Sequence, residues 1–377
     1  MRIAYIVQDL ADPAVTRRVA MLRAGGADVD LYGFRRTDEA PGQIVDVTPH
    51  DLGRTIDGRL VHRAFAVAAR TLTVGDWAQG LRGADVILAR NLESLVLGLA
   101  AKRRLGSHAR VIYELLDVHN VMLGNGPAST LLRTVERRAL AECDATMVSS
   151  PAFERCYLAA HYPDRPQTLL VENKVFGAPG LAAPSPARPA GPPWRIGWFG
   201  GIRCRRSLQV LSSLTRRFPG LFEVELRGRF ANTDLGDIEG LLRESPGISY
   251  LGPYKNPDDL PHIYGGVHFA WAIDFYEEGA NSSWLLPNRL YESALYGAVP
   301  IALRSVETGH WLAEHGVGWL VDTPLEESVG RLLQSMTQAE YLRSFEALRA
   351  LDPGLFSCDE ADCRDLVRRI GASERAS

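Results

Sequence analysis

The segment Leu286–Ala302, LPNRLYESALYGAVPIA, combines residue types at a spacing that can do chemistry. Pro287 and Asn288 favour a loop that hands over to a helix near Arg289 or Leu290, and the unpaired backbone N–H groups of a helix start attract anions. Glu292 follows within about the first turn. A carboxylate there is electrostatically tolerated and can accept hydrogen bonds from a pair of hydroxyls such as a ribose offers. It can equally be an ordinary early-turn helix acid. A second segment, IGWFGGIRCRRSL from Ile196, ends a strand-like run in Gly200-Gly201 and continues with Arg203, Arg205 and Arg206. Glycines let a backbone approach a ligand closely, and fixed guanidinium groups stabilise the charge that develops on a diphosphate leaving group. A solvated basic turn is the plain alternative. Tyr254, after Gly252-Pro253, can stack on a base or simply follow a turn. Of the acids Glu277 and Glu278, the second reads as a loop residue; the first stays open between a pocket and a loop role.

In the first half, Ala89–Glu93 and Glu114–His119 both follow apolar runs and read as loops. A carboxylate in such a place can take a proton from an attacking hydroxyl. Asp117 is the first candidate for that base and Glu93 the second, and either can instead be a loop or capping acid. His119 stands close to Asp117, but no further ligand set accompanies the pair, so no metal is expected.

The first segment resembles the Pro-Ser-Lys-x-Tyr-Glu-x-x-x-x-Gly-x-Pro-Val block of family 4-like glycosyltransferases, with Asn288 for Ser and Arg289 for Lys. The resemblance covers about residues 194–305 closely and 80–175 more loosely. It implies an α/β chain of GT-B architecture, with two Rossmann-like doubly wound domains facing a central cleft. It implies that Glu292 holds the ribose of a nucleotide sugar and that Asn288, Arg289 and the backbone of Pro287–Leu290 approach its diphosphate. Gly200, Gly201, Arg203 and Arg206 then match the family's basic loop, and the loop of Tyr254 lies against the base. A UDP-sugar is the favoured donor, for hexosyl- or uronosyl-type transfer. The implied acceptor is a carbohydrate or lipid-linked oligosaccharide in surface polysaccharide or glycolipid synthesis, with no metal or other cofactor. Two departures matter. Retaining members carry an acid eight residues before the ribose Glu, where this chain has Trp284, and members often read His-Asp where it has Leu116-Asp117. Inversion, with Asp117 as base, is therefore favoured over retention. A sugar-nucleotide epimerase of the same fold and a catalytically silent carbohydrate- or partner-binding relative are the alternatives.

The surrounding elements fit such a frame. The chain has 377 residues, 46% hydrophobic and 23% charged, with a formal net charge of −3. That length favours two domains, and the charge is far from the dense basic face that nucleic acid needs. Five cysteines without CxxC spacing argue against disulfides and zinc and fit a reducing, cytoplasmic setting. The start resembles no signal peptide, and no apolar run is long enough to span a bilayer. β-branched runs alternate with helix-length amphipathic stretches. Examples are Ile3–Val7, Val29–Phe34, Val86–Ala89 and Val111–Leu115, then Trp194–Phe199, Phe222–Arg227, Val267–Ile273 and Val299–Ala302. Several run apolar throughout, as strands covered on both faces do. The expected division is an acceptor-side domain over 1–177, a Pro/Ala-rich linker over 178–193, a nucleotide-sugar domain over 194–350, and a tail helix over 351–377 packing back on the first domain. Residues 54–72 interleave Arg54, Arg59, Arg63 and Arg70 with Leu60, Val61, Phe65, Val67 and Leu72. This stretch reads either as a half-buried helix or as a peripheral contact at the inner face of the plasma membrane.

Overall fold

The computed structural model describes residues 1–55, 60–177, 191–230 and 235–372, and of residues 60–64 the backbone only. Most of the expected linker, 178–190, lies outside the described residues. The chain forms two compact units, Met1–Glu172 together with the segment from Asp359, and Asn173–Cys358.

The first unit is built on β1 (Arg2–Val7), β2 (Asp28–Arg35), β3 (His50–Arg54), β4 (Val86–Arg90), β5 (Arg110–Leu115), β6 (Ala145–Val148) and β7 (Thr168–Leu170). All are parallel, in the order β3-β2-β1-β4-β5-β6-β7. β1, β4 and β5 are buried almost end to end, which is why their sequences run apolar without alternation. Asp12 caps the helix Pro13–Ala24 by accepting from the Ala14 N–H at 2.9 Å. The C-terminal helix Glu360–Gly371 opens with an Asp359–Asp362 capping box and buries Cys363, Leu366 and Ile370 as it lies against Pro13–Ala24. The helical segment that starts at Pro151 contains wide π turns over Phe153–Leu158.

In the second unit β8 (Val175–Phe176) pairs with β15 (Ser357–Cys358), so the described unit begins before residue 177 and ends after residue 350. Its main sheet comprises β9 (Trp194–Phe199), β10 (Phe222–Arg227), β11 (Ile248–Tyr250), β12 (Phe269–Trp271), β13 (Val299–Leu303) and β14 (Trp319–Val321). These strands are parallel too, ordered β11-β10-β9-β12-β13-β14. Phe269, Trp271 and Ile273 face one core cluster with Trp194 and Leu211, while Ala270 and Ala272 face another with Tyr264 and Trp311. The sheet is thus covered on both faces.

The two sheets repeat one topology, reversing direction between β1 and β4 and again between β9 and β12. In open α/β sheets, ligands bind outside the carboxyl ends of the strands at such reversals.

Candidate functional site

In the second unit the helix over Asn288–Leu295 starts behind Pro287, which supplies no side-chain cap. Asn288 is exposed and Arg289 half-buried, with its guanidinium donating to the Trp271 carbonyl at 3.3 Å. Glu292 is the fifth helical residue, in the second turn rather than the opening one, and is only 4% exposed. One carboxylate oxygen accepts from the Asn256 amide at 2.9 Å, and the other from the Tyr264 hydroxyl at 3.0 Å. Burial and the Glu292 charge push the hydroxyls of Tyr264 and Tyr254 well above the usual phenol range. Both therefore stay protonated, and Tyr264 donates to Glu292. Asn256 and Tyr264 carry no motif, and the sequence offers no signal for them. These two donors orient the Glu292 carboxylate.

At the end of β9, Gly200 has φ 115° and Gly228, at the end of β10, has φ 129°; a Cβ on Gly228 would sit 1.8 Å from the Gly200 carbonyl oxygen. Only glycine allows this close strand-end approach. The helix that follows starts at Arg205, capped by the Cys204 sulfur, which accepts from the Ser207 N–H at 3.4 Å and the Phe275 N–H at 3.3 Å. Arg205 and Arg206 therefore occupy a helix N-terminal turn, where the dipole mildly disfavours cations. Arg206 lies 4.0 Å over the Phe275 ring and pairs with exposed Glu278 at 3.0 Å. Arg203 pairs with Asp274 at 2.9 Å, joining the ends of β9 and β12 across the topological reversal. Glu277 accepts from the Asn281 amide at 2.7 Å, in a turn ahead of the short helix Asn281–Trp284.

The first unit corrects two expected loops. Ala89–Glu93 is not a loop: β4 runs through Arg90 and the helix Asn91–Leu105 begins at once, placing Glu93 in its first turn. The second expected loop begins later, at Leu116, since Glu114 belongs to the strand that Val111–Leu115 predicts. Glu114 is fully buried in β5, with Arg18 at 2.8 Å, Arg90 at 2.9 Å and the Tyr5 hydroxyl at 2.5 Å. Burial opposes its charge, but the two guanidinium groups prevail and lower its pKa to about 2. Asp117 is exposed past the end of β5 and accepts from the Asn91 amide at 3.2 Å. His119 caps a short helix, its Nδ1 accepting from the Val121 N–H. In the helix Leu60–Leu72, Phe65 and Leu72 are 72% and 87% exposed. Arg54 pairs with Asp38 and Arg70 donates to the Leu52 carbonyl, whereas Arg59 and the Arg63 side chain lie outside the described residues.

Residues 11–174 match the Glycosyl transferase 4-like domain family. The sequence is 42% identical to the succinoglycan biosynthesis protein ExoL of Rhizobium meliloti, over 98% of this chain and 93% of that protein. The structure is similar to sucrose-phosphate synthase from Thermosynechococcus elongatus, with a TM-score of 0.71 and 17% identity over 98% of this chain and 99% of that one. It is also similar to Anabaena HepE in complex with UDP and glucose, with a TM-score of 0.68 and 14% identity over 98% of each chain. At such identities these two structures speak to the fold alone. No helix among the described residues is long and apolar enough to cross a membrane. The chain belongs to the family 4-like glycosyltransferases and has the GT-B fold.

Proposed function

We propose that this glycosyltransferase takes a sugar from a UDP-sugar held by its second unit and passes it to a carbohydrate or lipid-linked acceptor during surface polysaccharide assembly. The observation that carries the polysaccharide reading is the near full-length identity to a protein named for succinoglycan biosynthesis. For UDP the support is a protein of the same fold whose structure holds UDP and glucose. Within the second unit, Glu292 is the ribose acceptor of hydrogen bonds, fixed by Asn256 and Tyr264. Gly200 and Gly201 admit the diphosphate to the strand end, and Arg203, Arg206 and Arg289 balance its charge as the bond to the sugar breaks. Glu277, oriented by Asn281, and Tyr254 complete the donor side, facing the sugar and the base respectively.

The stereochemical outcome follows the family. Family 4-like enzymes are typically retaining, and we take retention as the reading. Inversion through Asp117 rests on sequence position alone, so Asp117 serves as an acceptor-side acid that hydrogen-bonds the incoming hydroxyl, with Glu93 behind it in order of candidacy. A cytoplasmic enzyme touching the inner face of the membrane through residues 54–72 fits a lipid-linked acceptor. Exposed Phe65 and Leu72 support that contact, while the engagement of Arg54 and Arg70 weakens its basic part. A thermal-shift panel of UDP, GDP and their sugars tests the assignment. A ligand at about 100 times its Kd stabilises the fold by about 2.7 kcal/mol, so a UDP-sugar should raise Tm. No response to any uridine ligand would overturn the donor assignment.

A further inference from the structure

Asn91 combines three features that a plain strand-to-helix junction does not need. It follows β4 directly as the first residue of the helix Asn91–Leu105, with φ 64°. Asparagine tolerates that left-handed backbone better than most residues with a Cβ, and glycine adopts it more easily still. The side chain is nevertheless an amide, only 7% exposed, whose nitrogen donates to Asp117 Oδ1 at 3.2 Å and so ties the end of β4 to the segment after β5. Its amide oxygen is buried and, among the described residues, accepts no hydrogen bond. Turning the amide over would set that oxygen against the Asp117 carboxylate, so Asp117 dictates the orientation. An amide fixed at such a junction, with its nitrogen on a carboxylate, is suited to holding that carboxylate in one place.

We propose that Asn91 is a positioning residue for Asp117, helping to hold its carboxylate in the orientation that receives the acceptor hydroxyl. The proposal rests on the reading of Asp117 as the acceptor-side acid. Asn91→Gly tests it, because glycine keeps the left-handed backbone and deletes only the amide. Turnover is read as UDP release from UDP-glucose with octyl β-glucoside as acceptor, for the wild type, Asn91→Gly, Asp117→Asn and the double variant. Crystal structures of the wild type and Asn91→Gly give the Asp117 conformation whichever donor the enzyme prefers. Asn91→Gly should melt at or above the wild-type temperature and bind UDP unchanged, yet lose roughly ten- to a hundredfold in kcat, the range for deleting a hydrogen bond to a charged group. Its Asp117 carboxylate should leave the wild-type position, and the double variant should be no slower than Asp117→Asn alone. Full turnover in Asn91→Gly beside a slow Asp117→Asn would overturn the positioning role while leaving Asp117 its function. Normal turnover in Asp117→Asn would remove the underlying reading and the proposal with it. An Asp117 side chain unmoved in the Asn91→Gly crystal would also overturn the proposal.

Discussion

Glu114 in the first unit and Glu292 in the second are both buried, at 0% and 4% exposure, yet they are held in opposite ways. Glu114 lies against Arg18 and Arg90, whose side chains are themselves 5% and 2% exposed, with the Tyr5 hydroxyl added. Its charge is matched where it stands, and it serves to lock β1, β4 and β5 together with the Pro13–Ala24 helix. Glu292 accepts hydrogen bonds at 2.9 and 3.0 Å from an amide and a phenol, donors that aim the carboxylate and carry no charge of their own. A matched buried acid is part of the scaffold. On the proposed reading the aimed one, in the second turn of the helix Asn288–Leu295, is held for a ligand.

The contrast can be broken most forcefully at Glu114. Glu114→Ala takes the shared carboxylate from two buried guanidinium groups, leaving Arg90 its contact to Asp12, and should cost about 3 kcal/mol of stability in urea unfolding. Wild-type stability in that variant would put Glu114 on the same footing as Glu292. Acid should expose the same difference through a second route. The folded pKa of Glu114, about 2, lies below its ordinary value of 4.5, so its contribution is complete above pH 4.5 and is lost as pH falls toward 2. That loss is about 3 kcal/mol. Melting curves from pH 6 to 2.5 should therefore fall less steeply in Glu114→Gln than in the wild type.

Smaller effects sharpen the functional side. Arg203→Ala should lower kcat by about tenfold or more while weakening UDP binding less, because the guanidinium meets its full charge only as the leaving group departs. Equal losses in the two measurements would make Arg203 a plain binding residue. Tyr264→Phe removes one of the groups that aim Glu292, and titration should show UDP affinity falling by about 0.5–1.5 kcal/mol. An unaffected affinity would mean that Asn256 suffices.

The sequence made the repeating architecture legible because buried parallel strands must run apolar. The strands at Trp194–Phe199 and Phe222–Arg227 stand where the apolar runs place them. β3, His50–Arg54, escaped notice because the edge strand HDLGR buries only Leu52 fully. β14 escaped because three residues, Trp319–Val321, are too few for a period. The Glu292 block was visible as a motif, whereas its partners Asn256 and Tyr264 stand 36 and 28 residues away and meet it only through the fold. The role of Glu114 was not legible because its neutralising arginines, at positions 18 and 90, come from distant segments. The backbone of Asn91 left no trace in composition or spacing, since a left-handed φ is a property of the folded junction.

The central claim is that Glu292 belongs to a UDP-sugar site and not to the scaffold. Calorimetric titration of UDP into the wild type and Glu292→Ala, alongside urea unfolding of both, tests it most directly. The wild type should bind UDP. Glu292→Ala should bind it about 1.5–3 kcal/mol more weakly, the range for hydrogen bonds to a charged group, while losing less stability than Glu114→Ala. Equal UDP affinity in the two proteins, or a wild type that binds no UDP, would contradict the account.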